Sequence, residues 1–324
     1  MTDQAVDFSD KVREAYRRIQ ADIRRTPLEY SEPLSRETGA RVYVKWECDQ
    51  VTGSFKLRGA LNKLRSLSEA DRGRGVVSAS TGNHGLAISH ASRLEGIGLK
   101  LFLPTTVAEV KKAKIEAMGV DVEVRGASCE KTEAIASDFA GRTGRVFVSP
   151  YNEWDIVFGA GTVGLEVAED LSRFEDVLVP VGGGGLIAGI AGFLKAASPE
   201  TRLIGVEPET SAFMAASIAA GRLVEIDEKE TVADAVTGAI EPGAITFPLC
   251  RDLVDFIEVV PELLISRAMA LVHEHHGRMV EGAGALPFAA LLKSPAKWRD
   301  RTVVAIVSGG NVSPERFRAI AGLA

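Results

Sequence analysis

Hydrophobic positions along this chain follow two alternating rhythms. Residues 9–25 place Val12, Ala15, Tyr16, Ile19 and Ile23 three and four apart, which predicts an amphipathic helix that Thr26-Pro27 ends. Beyond it, short β-branched runs predict strands over 42–46, 75–79, 99–103, 120–124, 146–148, 177–181, 202–206, 256–260 and 303–307, with helical patterns between them. Parallel neighbours need crossover connections, and a sheet wrapped by such crossovers is buried on both faces, so the alternation predicts an α/β protein. So many strands exceed the usual size of one sheet. We therefore expect two domains, each with a mostly parallel sheet covered by helices, the large one from residues 1–74 and 150–324 and the small one from 75–149.

Composition narrows the classes of function. At 324 residues and 46% hydrophobic content the chain can bury a large core, and its formal charge of −6 is spread without a Lys/Arg run. Nucleic acid and membrane are therefore not expected as partners. The N-terminus lacks a signal-peptide pattern, no apolar run approaches the roughly 20 residues of a spanning helix, and the three cysteines, Cys48, Cys129 and Cys250, are far apart. These features predict a cytoplasmic protein with reduced thiols.

The strongest chemical signal is Gly182-Gly183-Gly184-Gly185-Leu186, which follows an apolar strand and opens a helical run. Successive residues without side chains let backbone N–H groups turn toward one anion, and the helix N-terminus adds partial positive charge. This is a phosphate site in preference to a simple tight turn. The same stretch also satisfies the loose dinucleotide fingerprint, with Glu207 ending the next strand where a ribose-binding acid would stand, so an NAD-dependent oxidoreductase is the alternative of a different class. A second unusual segment, Thr52-Gly53-Ser54-Phe55-Lys56-Leu57-Arg58-Gly59-Ala60, sets a lysine among small residues at a helix start. A lysine desolvated there would favour the free amine and could condense with an aldehyde, whereas a lysine taken by itself is more often a solvated surface charge.

Residues 54–60 resemble the lysine motif of the fold-type II pyridoxal-phosphate (PLP) enzymes, in the threonine/serine dehydratase and serine racemase branch. Ser80-Thr81-Gly82-Asn83-His84-Gly85 is similar to that family's substrate-carboxylate loop, residues 182–186 to its phosphate loop, and Ser308-Gly309-Gly310-Asn311 to its segment facing the pyridine nitrogen. Glu207-Pro208, residues 231–234 and Glu281-Gly282-Ala283-Gly284 extend the match over nearly the whole chain.

The resemblance implies PLP as cofactor, with Lys56 forming the Schiff base and acting as general base, and Phe55 packing beside the ring. It implies Asn83 on the ring's 3′-oxygen, and Gly182, Gly183, Gly184, Gly185 and Leu186 on the phosphate. Ser308 would face the pyridine nitrogen, with Glu281 and Asn311 also at the cofactor. Ser80, Thr81, Gly82 and His84 would receive the substrate carboxylate, and Ser80 and Thr81 are expected to cap the helix that starts near Asn83. A hydroxyl at the pyridine nitrogen makes the ring a milder electron sink than a carboxylate would, which suits elimination. The implied activity is a dehydratase or ammonia-lyase that removes water from an L-β-hydroxy amino acid, in a homodimer or homotetramer whose small domain closes over the substrate. A serine racemase or another β-elimination or β-replacement enzyme of the same fold is the alternative.

Several positions depart from the family pattern. Thr81 stands where racemase-type members carry the serine that serves the opposite face of the substrate. Ser211 and Phe213 follow Glu207 where metal-binding members offer a carbonyl and an aspartate, so no metal site is expected. Ala160 replaces a glutamine common in dehydratases, and Gly238-Ala239 replace two serines of the racemase type. The last change leaves room for a substrate bulkier than threonine. His273-Glu274-His275-His276 lacks HExxH or HxxEH spacing and reads as a solvated helix end. With the chain ending at Ala324, no C-terminal regulatory domain is expected.

Overall fold

The computed structural model describes residues 6–107 and 109–323. Ten strands form in chain order: β1 (Leu28–Tyr30), β2 (Arg41–Trp46), β3 (Val76–Ala79), β4 (Leu99–Leu103), β5 (Asp121–Val124), β6 (Val146–Phe147), β7 (Asp176–Pro180), β8 (Arg202–Pro208), β9 (Phe256–Val260) and β10 (Thr302–Val307). They build a six-stranded sheet ordered β1-β2-β10-β7-β8-β9 and a four-stranded sheet ordered β5-β4-β3-β6. Every pairing is parallel except that of β1 with β2. The α/β class with helix-covered parallel sheets is as the alternation predicts. Strands β7 and β10 are buried at every position, which is why they read as continuous apolar runs.

Two hydrophobic clusters sandwich the large sheet. One joins Val12 and Ala15 of the first helix to Val163, Ile187 and Ile190, and the other joins Trp46, Phe288, Leu286 and Trp298. The small sheet has its own pair, centred on Leu61, Ile88 and Leu101 on one face and on Phe102, Ala136 and Ala140 on the other.

Two expectations need correction. The first helix spans Phe8–Ile19 and stops before residue 25, because the following segment is held by Gln50, whose Oε1 accepts from Arg24 N at 2.7 Å and whose Nε2 donates to Arg24 O at 2.8 Å. The hydrophobic pattern predicts no strand at β1: it has three residues, lies at the sheet edge, and takes its conformation from Tyr30 and Leu28 pairing with Tyr43 and Lys45.

Candidate active site

Lys56 begins the helix Lys56–Ser66, which crosses the helix Trp154–Asp170 so closely that a Cβ on Gly159 would stand 2.6 Å from Arg58 O. The loop before Lys56 is strapped to the end of β10: Phe55 N donates to Ser308 O at 3.0 Å, Gly310 N donates to Gly53 O at 3.0 Å, and Ser54 bridges Gly309. Lysine motif and Ser308 segment are thus one structural unit although about 250 residues apart in sequence. The Lys56 amine donates to Pro150 O at 2.8 Å and lies 5.1 Å from the centre of the Phe55 ring. Burial pushes its pKa down to about 8, against the opposing pull of Glu133 and Glu281.

Two residues beyond Lys56, Arg58 anchors this helix start from below. Its guanidinium is fully buried and donates to both oxygens of Glu47, at 2.8 Å each, and to both oxygens of Glu166, at 2.8 and 2.9 Å. Lys45 reaches the same Glu166 at 2.7 Å, and Thr26 Oγ1 donates to Glu47 at 2.5 Å. Two cations and two carboxylates therefore balance inside the protein. Burial alone would raise the Glu166 carboxyl, but Arg58 and Lys45 hold it below its ordinary value.

The tetraglycine segment joins β7 to the helix Gly185–Ala197, with Gly184 in the left-handed region at φ 85° and no side chain capping the helix. The helix's own bonding is seen at Ala188 N to Gly184 O, so the N–H groups before it have no partner within the helix and could serve an anion. A Cβ on Gly183 would meet the Tyr151 ring at 2.5 Å, and one on Gly182 would meet Val236 Cα at 2.9 Å. Tyr151 is fixed in turn by accepting from Glu241 N at 2.9 Å. This side-chain-free cradle, together with a buried amine in the same cleft, fits PLP.

The expected carboxylate loop lies between β3 and the helix Asn83–Glu95. Ser80 and Thr81 do not cap that helix with their side chains: Gly82 occupies the N-cap, and Ser80 Oγ accepts from Gly82 N at 3.3 Å. The helix starts directly over Ser80, where a Cβ on Gly85 would meet Ser80 O at 2.4 Å, and this tight start leaves its first N–H groups open to an anion. Asn83 Nδ2 donates to Glu281 at 2.6 Å, and Asn83 Oδ1 accepts from Asn311 Nδ2 at 2.7 Å, which gathers three of the expected cofactor residues into one chain of hydrogen bonds. His84 is buried and bonded to Ser78. Leu186 packs into the core behind the glycines.

The structure adds groups that no motif announces. Glu133, from the helix Cys129–Thr143, has its pKa pushed up to about 7 by burial and by Glu241, with Lys56 pulling the other way. Pro150 and Tyr151 join the site through contacts distant in sequence, for which no local pattern could stand, and Ser78 joins it through His84 six residues on. Glu207 lies one residue before the end of β8 and serves the start of the helix Phe213–Ala220, accepting from Met214 N at 2.9 Å and Ala215 N at 2.8 Å. The 273–276 cluster behaves as a helix end: His276 Nε2 is 3.0 Å from Ser31 Oγ and His273 packs edge-on to Phe317.

Comparison with known proteins agrees with this arrangement. Residues 19–309 match the family described as pyridoxal-phosphate dependent enzyme. The chain is 39% identical over 303 residues to the L-threonine ammonia-lyase of Thermotoga maritima, covering 94% of this chain and 75% of that one. It is 38% identical over 315 residues to the catabolic L-threonine dehydratase TdcB of Escherichia coli, covering 97% and 95%. Among solved structures, maize serine racemase superposes with a TM-score of 0.90 at 34% identity, covering 95% of this chain and 94% of that one. The processed form of threonine deaminase isoform 2 from Solanum lycopersicum gives 0.89 at 32%, covering 98% and 94%. By fold, by the joined lysine and glycine motifs and by these likenesses, the chain belongs to the pyridoxal-phosphate dependent enzymes, in their threonine/serine dehydratase and serine racemase branch.

Proposed function

We propose that this protein is a PLP-dependent ammonia-lyase that eliminates water from an L-β-hydroxy amino acid, threonine, serine or a bulkier analogue, to give a 2-oxo acid and ammonia. The observation that carries the reading is the buried amine of Lys56, which donates to Pro150 O at 2.8 Å and shares a cavity with Phe55, His84 and Gly185. When bound, PLP supplies an electrophilic ring that withdraws electrons from the substrate Cα. Gly182 to Leu186 would hold its phosphate through backbone N–H groups, Phe55 would flank its ring, and Asn83, Glu281, Ser308 and Asn311 would line its polar edge.

The chain's own groups then divide the work. Open N–H groups near Gly82 and His84, with the Ser80 and Thr81 hydroxyls, would receive the substrate carboxylate. Lys56, with a pKa of about 8, holds enough free amine near neutral pH to take the Cα proton. Residues 75–149 would form the small domain, closing over the substrate, with 1–74 and 150–324 as the large one. Among the described residues no helix is long and apolar enough to cross a membrane. A cytoplasmic homodimer or homotetramer is the setting we propose.

Lys56→Ala decides the assignment. The variant is expected to take up PLP without a borohydride-reducible linkage and to release no ammonia from L-threonine or L-serine. A pyridoxyl group found on another lysine of reduced, digested wild-type protein would overturn it.

A further inference from the structure

Beside Lys56 lies a small cavity lined by Phe55, His84, Pro150, Ile156 and Ala160, with about 10 Å³ of room for a water centre. That is close to the minimum a single water needs. His84 reaches it from the helix Asn83–Glu95 and is 3% exposed, and its Nδ1 has no hydrogen-bond partner among the described residues. A buried, unpartnered ring nitrogen on a residue that lines a mostly apolar cavity beside a lysine points to something that binds there.

The tautomer of this ring follows from its other side. Ser78 Oγ lies 2.9 Å from His84 Nε2 and donates its single proton to Val148 O at 2.7 Å. Toward the imidazole the hydroxyl can therefore only accept, so Nε2 carries the hydrogen. Burial, followed by the charge of Lys56, drives the His84 pKa down to about 3 and keeps the ring neutral, so Nδ1 is left as a bare acceptor. His84, Pro150 and Lys56 all line the cavity, and the Lys56 amine donates to Pro150 O at 2.8 Å, so a water there would have this amine and the bare His84 Nδ1 as its candidate partners. An amine that takes a proton becomes an ammonium with three donors and needs such partners.

We propose that His84 is a positioning residue for Lys56: its Nδ1, fixed as an acceptor by the Ser78–Val148 pair, receives an N–H of the proton-carrying amine through one water in the cavity between them. This rests on the reading of Lys56 as general base. The cavity makes the ammonium easier to form and returns the amine to one place after each proton transfer. The short side chain of Ala160 forms part of the cavity wall. The other groups whose charge acts on Lys56 are Glu133 from the helix Cys129–Thr143 and Glu281 ahead of the helix Gly282–Lys293.

The test compares His84→Phe, His84→Asn and Ser78→Ala as holoenzymes, with Lys56→Ala as control. His84→Phe removes the acceptor, so Lys56 should lose proton affinity: the acidic limb of kcat should move about one pH unit lower and the plateau should fall by about tenfold or more, with KM little changed. His84→Asn, which can present an oxygen near the Nδ1 position, should restore both limb and plateau in large part. A lowered plateau with an unmoved limb, or no rescue by asparagine, would mean His84 serves packing only and would overturn the proposal. Independently of activity, nitrogen NMR of [15N]histidine-labelled wild-type holoenzyme should show His84 as the Nε2–H tautomer from pH 6 to 9, with Ser78→Ala losing that preference. A protonated Nδ1 in the wild type would overturn the proposal even if His84→Phe did not fold. Activity surviving in Lys56→Ala would instead strike the underlying assignment of the base.

Discussion

Arg58→Met should destabilise the protein strongly without touching the substrate. Arg58 is fully buried and makes four charge-assisted hydrogen bonds, two to Glu47 and two to Glu166, while Lys45 completes the balance of charge. Replacing it by an apolar chain of similar length leaves two buried carboxylates facing one lysine. Breaking a buried pair from one side costs about 3–5 kcal/mol, since the remaining charge is desolvated and unmatched. With an unfolding entropy of about 2.1 cal/mol/K per residue, a chain of 324 residues would melt roughly 4–7 °C lower. The assay is calorimetry or fluorescence melting of the cofactor-free protein at pH 7.5, which keeps loss of PLP from entering the comparison. Glu166→Gln, which leaves two buried cations opposite Glu47, should fall in a similar range. The sign with pH follows from Glu166: its pKa is below the ordinary value when folded, so its share of stability is present above the ordinary carboxylate range and is lost as pH falls through its lowered pKa. The deficit of Glu166→Gln should therefore shrink in acid. A melting temperature for Arg58→Met within about 1 °C of wild type at pH 7.5 would refute the reasoning and show that water relieves the carboxylates.

Gly183→Val would drive a side chain into the Tyr151 ring, which an added Cβ already meets at 2.5 Å, so a PLP titration should show affinity weakened by about tenfold or more while circular dichroism keeps the fold. EDTA should leave the turnover rate nearly unchanged, because Glu207 is committed to the N–H groups of Met214 and Ala215 and Phe213 brings no oxygen; a large loss restored by Mg²⁺ would contradict this. In the cofactor-free protein, Lys56 should react with an acylating reagent with a midpoint near its pKa of about 8, below that of exposed lysines, as followed by peptide mass mapping. Thr81→Ser should raise D-serine relative to pyruvate on chiral chromatography of a serine incubation, since the β-branch of Thr81 restricts its χ1 and crowds the second face; an unchanged ratio would argue against that role.

What the sequence by itself determined is the part of this protein written in local pattern. Alternating β-branched runs and amphipathic segments specify buried parallel strands and their crossover helices, because that burial pattern needs only neighbours in the chain. Four glycines after a strand specify a phosphate turn, since backbone N–H groups can converge only where side chains are missing. Lys56 was legible through the resemblance of residues 54–60 to the family's lysine motif, since by itself a lysine is more often a surface charge. The tertiary structure decided what depends on distant partners. The three-residue β1 has no periodicity to read and exists because β2 offers it an edge. Ser80 and Thr81 had the composition of helix caps, yet Gly82 took that place once the helix had to start tightly over Ser80. Arg58, quoted in a motif without a role, acquired one only when Glu47 and Glu166 converged on it from other elements. The tautomer of His84 depends on Ser78 and on a carbonyl 64 residues away, at Val148. Glu133 was an ordinary helix carboxylate until burial beside Glu241 pushed its pKa up to about 7. Protonation and hydrogen-bond direction are set by dielectric and by the nearest donors and acceptors in space, and a linear sequence lists neither.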